Sequence, residues 1–171
     1  MESMPIRLVI LDADESLWRG RVGWMELPYE IVDKNIVSDL HGQKVSIHPK
    51  TRKLLTDLRD LKIAIGMASW NRKEKAEEAL RLFGILEFFP ESLRKIWHEK
   101  GRMKHIMIQE IVDEVRREDP SLRYSQVLFY DDDRSYFENV HKLVSPDIHC
   151  VQAGVDLKIP YEILGFIKRT E

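Results

Sequence analysis

Four short runs of apolar residues stand out along the chain, at residues 7–11, 63–68, 127–130 and 148–151. Strands with one wet face alternate apolar and polar residues, whereas nearly continuous apolar runs belong to strands covered on both faces, as in a parallel sheet. Residues 94–97 predict a fifth, weaker strand. Between these runs lie stretches with helical spacing: residues 49–61, with Leu54, Leu55, Leu58 and Leu61 on one face, then 72–83, 102–117 and 135–143. A last helix is predicted to begin after Pro160. Strands alternating with helices imply right-handed βαβ crossovers and a three-layer α/β sandwich around a central parallel sheet.

Residues 17–48 break this alternation. They contain Trp18, Trp24 and Pro28, then a segment in which Gly42 marks a turn and Val45 and Ile47 alternate with polar residues. That pattern predicts a β-hairpin flap. About 30 residues are too few for an independent lid. The expectation is therefore one domain over residues 1–171, with a flap insertion at about 18–48.

Composition narrows the function classes. With 171 residues, 43% hydrophobic and 33% charged, the chain is long enough to bury a core and ordinary in its balance. A formal net charge of −2 with dispersed basic residues argues against nucleic acid as a partner. No apolar run approaches a membrane span, and no export signal is evident. Cys150 is the only cysteine, which rules out an intrachain disulfide and fits a cytoplasmic location. It reads as a small buried hydrophobe rather than a nucleophile. We expect no membrane partner and a monomer or weak homodimer.

The candidate chemistry sits where strands end. The first run leads into Asp12-Ala13-Asp14, the second into Ser69-Trp70-Asn71, and the third into Asp131-Asp132-Asp133. In open α/β sheets, ligands bind outside the carboxyl ends of the strands, where the strand order reverses. Transfer of a phosphoryl group needs a nucleophile, a cation over the non-bridging oxygens and donors for the remaining charge. Asp12 can attack phosphorus and become an aspartyl phosphate. Asp14 is placed to act as general acid and base, and its carbonyl could reach a metal. Mg²⁺ takes oxygen ligands, commonly one or two carboxylates with a substrate phosphate, and Asp12 with Asp131 or Asp132 meets that need. Ser69 and Asn71 offer donors to phosphate oxygens.

Lys104 supplies a balancing positive charge at the start of an apolar helix, and Lys100 competes with it for that role. Ser69 has an alternative reading as the N-cap of the next helix, and the acidic run as a solvated loop. The latter would not need to follow the doubly buried run Val127-Leu128-Phe129-Tyr130. Trp18, Trp24 and Trp70 are candidates for core packing or for lining the substrate mouth. His98 and His105 read as surface or packing residues, and nothing pairs them with cysteines to suggest zinc.

Taken together, Asp12-Ala13-Asp14-Glu15-Ser16-Leu17-Trp18, Gly42-Gln43-Lys44-Val45 leading to Pro49, Ala68-Ser69, Phe129-Tyr130-Asp131-Asp132-Asp133 and residues 151–157 resemble the haloacid-dehalogenase superfamily. Within it the chain is most similar to a family of small magnesium-dependent phosphatases with protein-tyrosine and sugar-phosphate activities. The resemblance implies a Rossmann-like sheet of order 3-2-1-4-5 with a flap in place of a full cap. It also implies a hydrolase that acts on phosphotyrosine or a sugar phosphate in an open site. By this resemblance Asp12 is nucleophile and metal ligand, Asp14 acid/base and carbonyl ligand, and Ser69 and Lys104 phosphate-binding, while Trp70 and Asn71 join the substrate-binding candidates by their place after the second strand. Asp132 would hold Mg²⁺ while Asp131 orients the lysine or a metal water. Ser16 stands where that family usually has Thr. The competing readings are a receiver-type phospho-acceptor domain and a catalytically idle interaction module.

Overall fold

The computed structural model describes residues 5–170, so the outermost residues of the expected domain fall outside it. Its central sheet contains β1 (Leu8–Leu11), β6 (Ala64–Trp70), β7 (Arg94–Trp97), β8 (Val127–Asp131) and β9 (His149–Gln152), numbered along the chain. All are parallel, in the order β7-β6-β1-β8-β9. Counted within this sheet, that is the expected 3-2-1-4-5. The helices are α1 (Thr51–Asp60), α2 (Lys73–Leu82), α3 (Lys104–Glu118), α4 (Ser135–Leu143) and α5 (Ile163–Thr170).

The absence of alternation in β1 has a simple cause. Val9 and Leu11 share one core with Leu54, Leu55 and Leu58 of α1, Ala76, Ala79 and Leu80 of α2, and Ile163 and Ile167 of α5. Leu8 and Ile10 share the other with Met107, Ile108, Ile111 and Val112 of α3 and with Phe137 and Val140 of α4. Each fully buried aliphatic side chain contributes about 1.5–3 kcal/mol, so both faces demand apolar residues. Helix α3 lies unusually near the sheet at Gly66, where a Cβ would stand 3.0 Å from Ile111 Cγ2 and 3.3 Å from the Leu93 carbonyl oxygen.

Register sets the position of the site. Leu11 lies opposite both Met67 of β6 and Tyr130 of β8, so the next residue, Asp12, emerges between the ends of these two strands. Its amide donates to the Tyr130 carbonyl at 3.0 Å. The strand order reverses between β1 and β8. Strand β6 runs two residues further than the expected 63–68 because Ser69 and Trp70 continue the ladder with Ile96 and Trp97 of β7. Ser69 is thus a strand residue. Helix α2 begins only at Lys73, with Arg72 at its N-cap, which removes the capping alternative.

The flap is larger than a hairpin. Strands β2 (Trp18–Arg19), β3 (Glu30–Asp33), β4 (Ile36–Ser38) and β5 (Lys44–Ile47) form an antiparallel sheet in the order β2-β5-β4-β3. The expected hairpin is its β4–β5 pair. The turn between them is held by Asp39, whose carboxylate accepts from the amides of Glu26 (2.9 Å), His41 (2.9 Å) and Gln43 (2.8 Å). Trp18, Val37, Val45 and Ile47 anchor the flap in the core beside α1, while every residue of β3 is exposed. Among the described residues, no helix is long and apolar enough to cross a membrane.

Candidate active site

Asp12, Asp131 and Asp132 each present a carboxylate oxygen within 4.8 Å of the others. Lys104 lies among them, only 3% exposed, with Nζ 2.9 Å from Asp12 Oδ1 and in contact with Asp131 Oδ2. Burial works against its charge, but Asp12 and Asp131 outweigh that penalty and raise its pKa above the ordinary lysine value. Lys100 sits elsewhere, its Nζ 4.7 Å from the Trp97 ring centroid. Of the two candidates it is Lys104, at the start of α3, that the structure brings beside the acidic groups.

The three carboxylates differ in what already occupies them. Asp12 Oδ2 accepts from Ser16 Oγ at 3.1 Å, and that hydroxyl accepts from the Asp132 amide at 3.2 Å, so Ser16 ties the two acidic loops together. Asp131 has both oxygens engaged, Oδ2 by Lys104 and Oδ1 by the Asp133 amide at 2.8 Å. The Asp132 carboxyl faces Asp12. Burial, and then the charge of Asp12, pushes it up to about 6. Crowded acids of this kind gain from a divalent cation bound between them. The donor set is all oxygen, which suits a hard cation.

Asp14 is held apart from this group by four donors: Trp18 Nε1 (2.8 Å) and the Val22 amide (2.9 Å) on Oδ1, Asn71 Nδ2 (3.0 Å) and the Gly23 amide (3.4 Å) on Oδ2. Burial nevertheless pushes its pKa up to about 6, against the hydrogen bonds from Trp18 and Val22, with Asp12 adding to the rise. A carboxyl in that range can give and take a proton near neutrality. A Cβ on Gly23 would lie 3.2 Å from Asn71 Oδ1 and 3.6 Å from Asp14 Oδ2, so a larger residue would crowd the grip. Asn71 therefore differs from the expectation. Its amide holds Asp14, and its Oδ1 accepts from the Arg72 amide at 2.8 Å, leaving Ser69 as the polar side chain of that segment in the cavity wall.

These groups line a cavity of about 630 Å³ with Arg21, Trp24, Trp70, Arg102, Arg134, Tyr136 and Gln152. Trp18 is core, fully buried with its ring 5.6 Å from that of Phe83. Trp24 and Trp70 line the mouth instead. Trp70 is stacked on His98 at 4.8 Å. Arg102 lies 5.2 Å from both the Trp70 and the Tyr136 rings and donates to Tyr136 Oη and Asp133 Oδ2, each at 2.8 Å. Sequence reasoning missed Arg21, Arg102, Arg134 and Tyr136. The pattern Arg102-Met103-Lys104, two cations at one helix start, was the available signal for Arg102. Cys150 is not among the residues lining the cavity, and burial in β9 pushes its thiol up to about 12, away from the thiolate form.

The model of a family described as Acid Phosphatase matches the chain over residues 4–162. The chain belongs to that family. Human Magnesium-dependent phosphatase 1 is 27% identical over 154 residues, 89% of this chain and 81% of the human protein. Among solved structures, the phosphatase-containing N-terminal part of a Bacteroides fragilis protein, complexed with Mg, aligns with a TM-score of 0.63 at 19% identity. That alignment covers 96% of this chain but only 39% of the bacterial one. An uncharacterized Listeria monocytogenes serotype 4b protein aligns with a TM-score of 0.58 at 13% identity, over 96% of this chain and 99% of its own. The haloacid-dehalogenase resemblance read from the motifs holds, and family membership favours a phosphatase over a receiver domain.

Proposed function

We propose that the protein is a Mg²⁺-dependent phosphomonoester hydrolase that works through an aspartyl phosphate on Asp12. The observation that carries this reading is the meeting, at the ends of three adjacent strands, of Asp12, Asp131 and Asp132 with the buried Lys104 and Ser69. Mg²⁺ would be held by Asp12 and Asp132, with the Asp14 carbonyl as the resemblance implies, and when bound it neutralises charge on the phosphoryl oxygens. The name of the human relative supports the same choice of metal.

Lys104 and Ser16 fix the two oxygens of Asp12, so the nucleophile needs no reorganisation before attack. Its carboxylate forms the bond to phosphorus as the ester oxygen departs, and Asp14 hands its proton to that oxygen. Asp14 then removes a proton from the water that attacks the phosphorus, releasing phosphate and restoring Asp12. Lys104 and the Ser69 hydroxyl face the non-bridging oxygens. The flap leaves the mouth open, with Trp24 and Trp70 beside it, which suits a phosphate on an exposed tyrosine side chain or on a sugar.

The test is turnover of p-nitrophenyl phosphate, phosphotyrosine peptides and sugar phosphates with Mg²⁺ and with EDTA, by parent and Asp12→Asn. The parent should require Mg²⁺ and the variant should be inert yet folded. A variant within about tenfold of the parent, ~1.4 kcal/mol of barrier, would exclude Asp12 as nucleophile.

A further inference from the structure

The cationic groups of the cavity are not all neutralised within the protein. Lys104 is taken up by Asp12 and Asp131, and Arg102 by Asp133 at 2.8 Å. Arg21 on the flap and Arg134 just before α4 line the same cavity and are exposed. Among the described residues neither forms an ion pair. An arginine at a mouth with no carboxylate partner offers a planar fork of donors suited to a carboxylate or phosphate.

Arg21 is also placed rather than loose. Its guanidinium carbon lies 5.1 Å from the centroid of Trp24, a tryptophan left 75% exposed. Stacking of this kind restrains the long side chain and adds a modest attraction. Arg21 lines the same cavity as Asp12, Asp131 and Asp132. The transferred phosphoryl group already has Lys104, Ser69 and the cation site. Two further guanidinium groups nearer the mouth match a different anion.

Resting on the phosphomonoesterase reading above, we propose that Arg21, braced on Trp24, and Arg134 form a second anion subsite, selecting phosphomonoesters that carry a further carboxylate or phosphate group near the ester. Neither a small neutral ester nor a basic phosphopeptide would engage it. The acidic group could belong to a side chain flanking phosphotyrosine or to the sugar itself, and matched substrate pairs separate these sources.

The experiment compares kcat/KM within two pairs: a phosphotyrosine peptide flanked by Glu against the same peptide flanked by Gln, and 6-phosphogluconate against glucose 6-phosphate. In at least one pair the acidic member should be favoured by on the order of five- to tenfold, as expected for two solvent-accessible ion pairs. The gain should lie in KM and shrink as salt is raised. In Arg21→Gln/Arg134→Gln that ratio should fall toward one, and the pair that shows it names the source of the acid. Ratios near one in both pairs, or a ratio untouched by the double substitution, would overturn the subsite. p-Nitrophenyl phosphate in the same assay keeps the two readings apart: no Mg²⁺-dependent turnover of it by the parent overturns the hydrolase assignment itself, whereas turnover with flat ratios overturns only the subsite.

Discussion

Replacing Lys104 by Met removes the one cation buried among the acidic groups and leaves the shape of the side chain largely intact. Lys104 is 3% exposed, and its partners Asp131 and Asp12 have side chains 0% and 7% exposed, so water cannot take over its role. Removing one member of such a pair costs about 3–5 kcal/mol, because a buried charge is left uncompensated. An independent bound gives the same size. The stranded carboxyl can always escape by binding a proton, and lifting one from ~3.9 to pH 7 costs about 3 pKa units at ~1.4 kcal/mol each, or ~4 kcal/mol. This bound also fixes the pH dependence. The variant's carboxyl has a folded pKa above its unfolded one, so the unfolded state holds fewer protons above pH 4 and the deficit grows with pH. Burial already holds Asp131 above the ordinary carboxylate range in the parent, so the deficit should be at most ~4 kcal/mol at pH 7, under ~2 at pH 5, and absent near pH 4.

The assay is urea or thermal unfolding in EDTA, where ~4 kcal/mol corresponds to roughly 8–16 °C for a chain of this size. Adding Asp131→Asn to Lys104→Met should recover a large part of the loss at pH 7, since the stranded charge is gone. Mg²⁺ should stabilise the single variant more than the parent, because the cation takes over part of the missing compensation. A Lys104→Met protein as stable as the parent at pH 7 in EDTA, with no pH dependence of the difference, would refute the idea that this lysine neutralises buried acids.

Three further outcomes follow from the site and the core. Asp132→Asn should raise the Mg²⁺ concentration needed for half-maximal activity by at least about tenfold, in the range that loss of a metal-supporting group produces, and an unchanged requirement would place the cation elsewhere. Asp14→Asn should lose far more rate on an alkyl phosphate than on p-nitrophenyl phosphate, whose leaving group scarcely needs a proton; equal losses would argue against its role as acid. Gly66→Ala should cost about 1–3 kcal/mol in urea unfolding through the 3.0 Å approach to Ile111, with Ile111→Val restoring part of it, and a neutral effect would show that α3 shifts freely.

The layout of the central sheet could be read from the chain because β1, β6 and β8 are packed on both faces, and only an unbroken apolar run satisfies two cores at once. That the carboxylates meet was readable for a related reason: acids that directly follow such runs have nowhere to go but the strand ends. What escaped reading depends on direction and on pairing partners. Asn71 lies where a phosphate donor would, but no spacing tells that its amide turns toward Asp14. The strand β3 left no alternation, since Glu30, Ile31, Val32 and Asp33 are all exposed, so a four-stranded flap looked like a hairpin. Arg21 and Arg134 come to the mouth through loop geometry, and isolated arginines in irregular segments carry no periodic signal.

The grip on Asp14 has a consequence for how errors are punished. Three of its four donors, Trp18, Val22 and Gly23, belong to the flap insertion, and the fourth, Asn71, follows β6. Asp14, the proposed proton donor, and the flap whose Arg21 and Trp24 line the cavity are therefore one mechanical part. A substrate that props the flap away from its seat would drag the acid off its line of approach, so it would be bound yet turned over slowly, most of all when its leaving group is a poor one. Discrimination would then register in kcat rather than in KM, and an insertion that enlarged the flap would have to rebuild the acid's anchorage before it could alter what is hydrolysed.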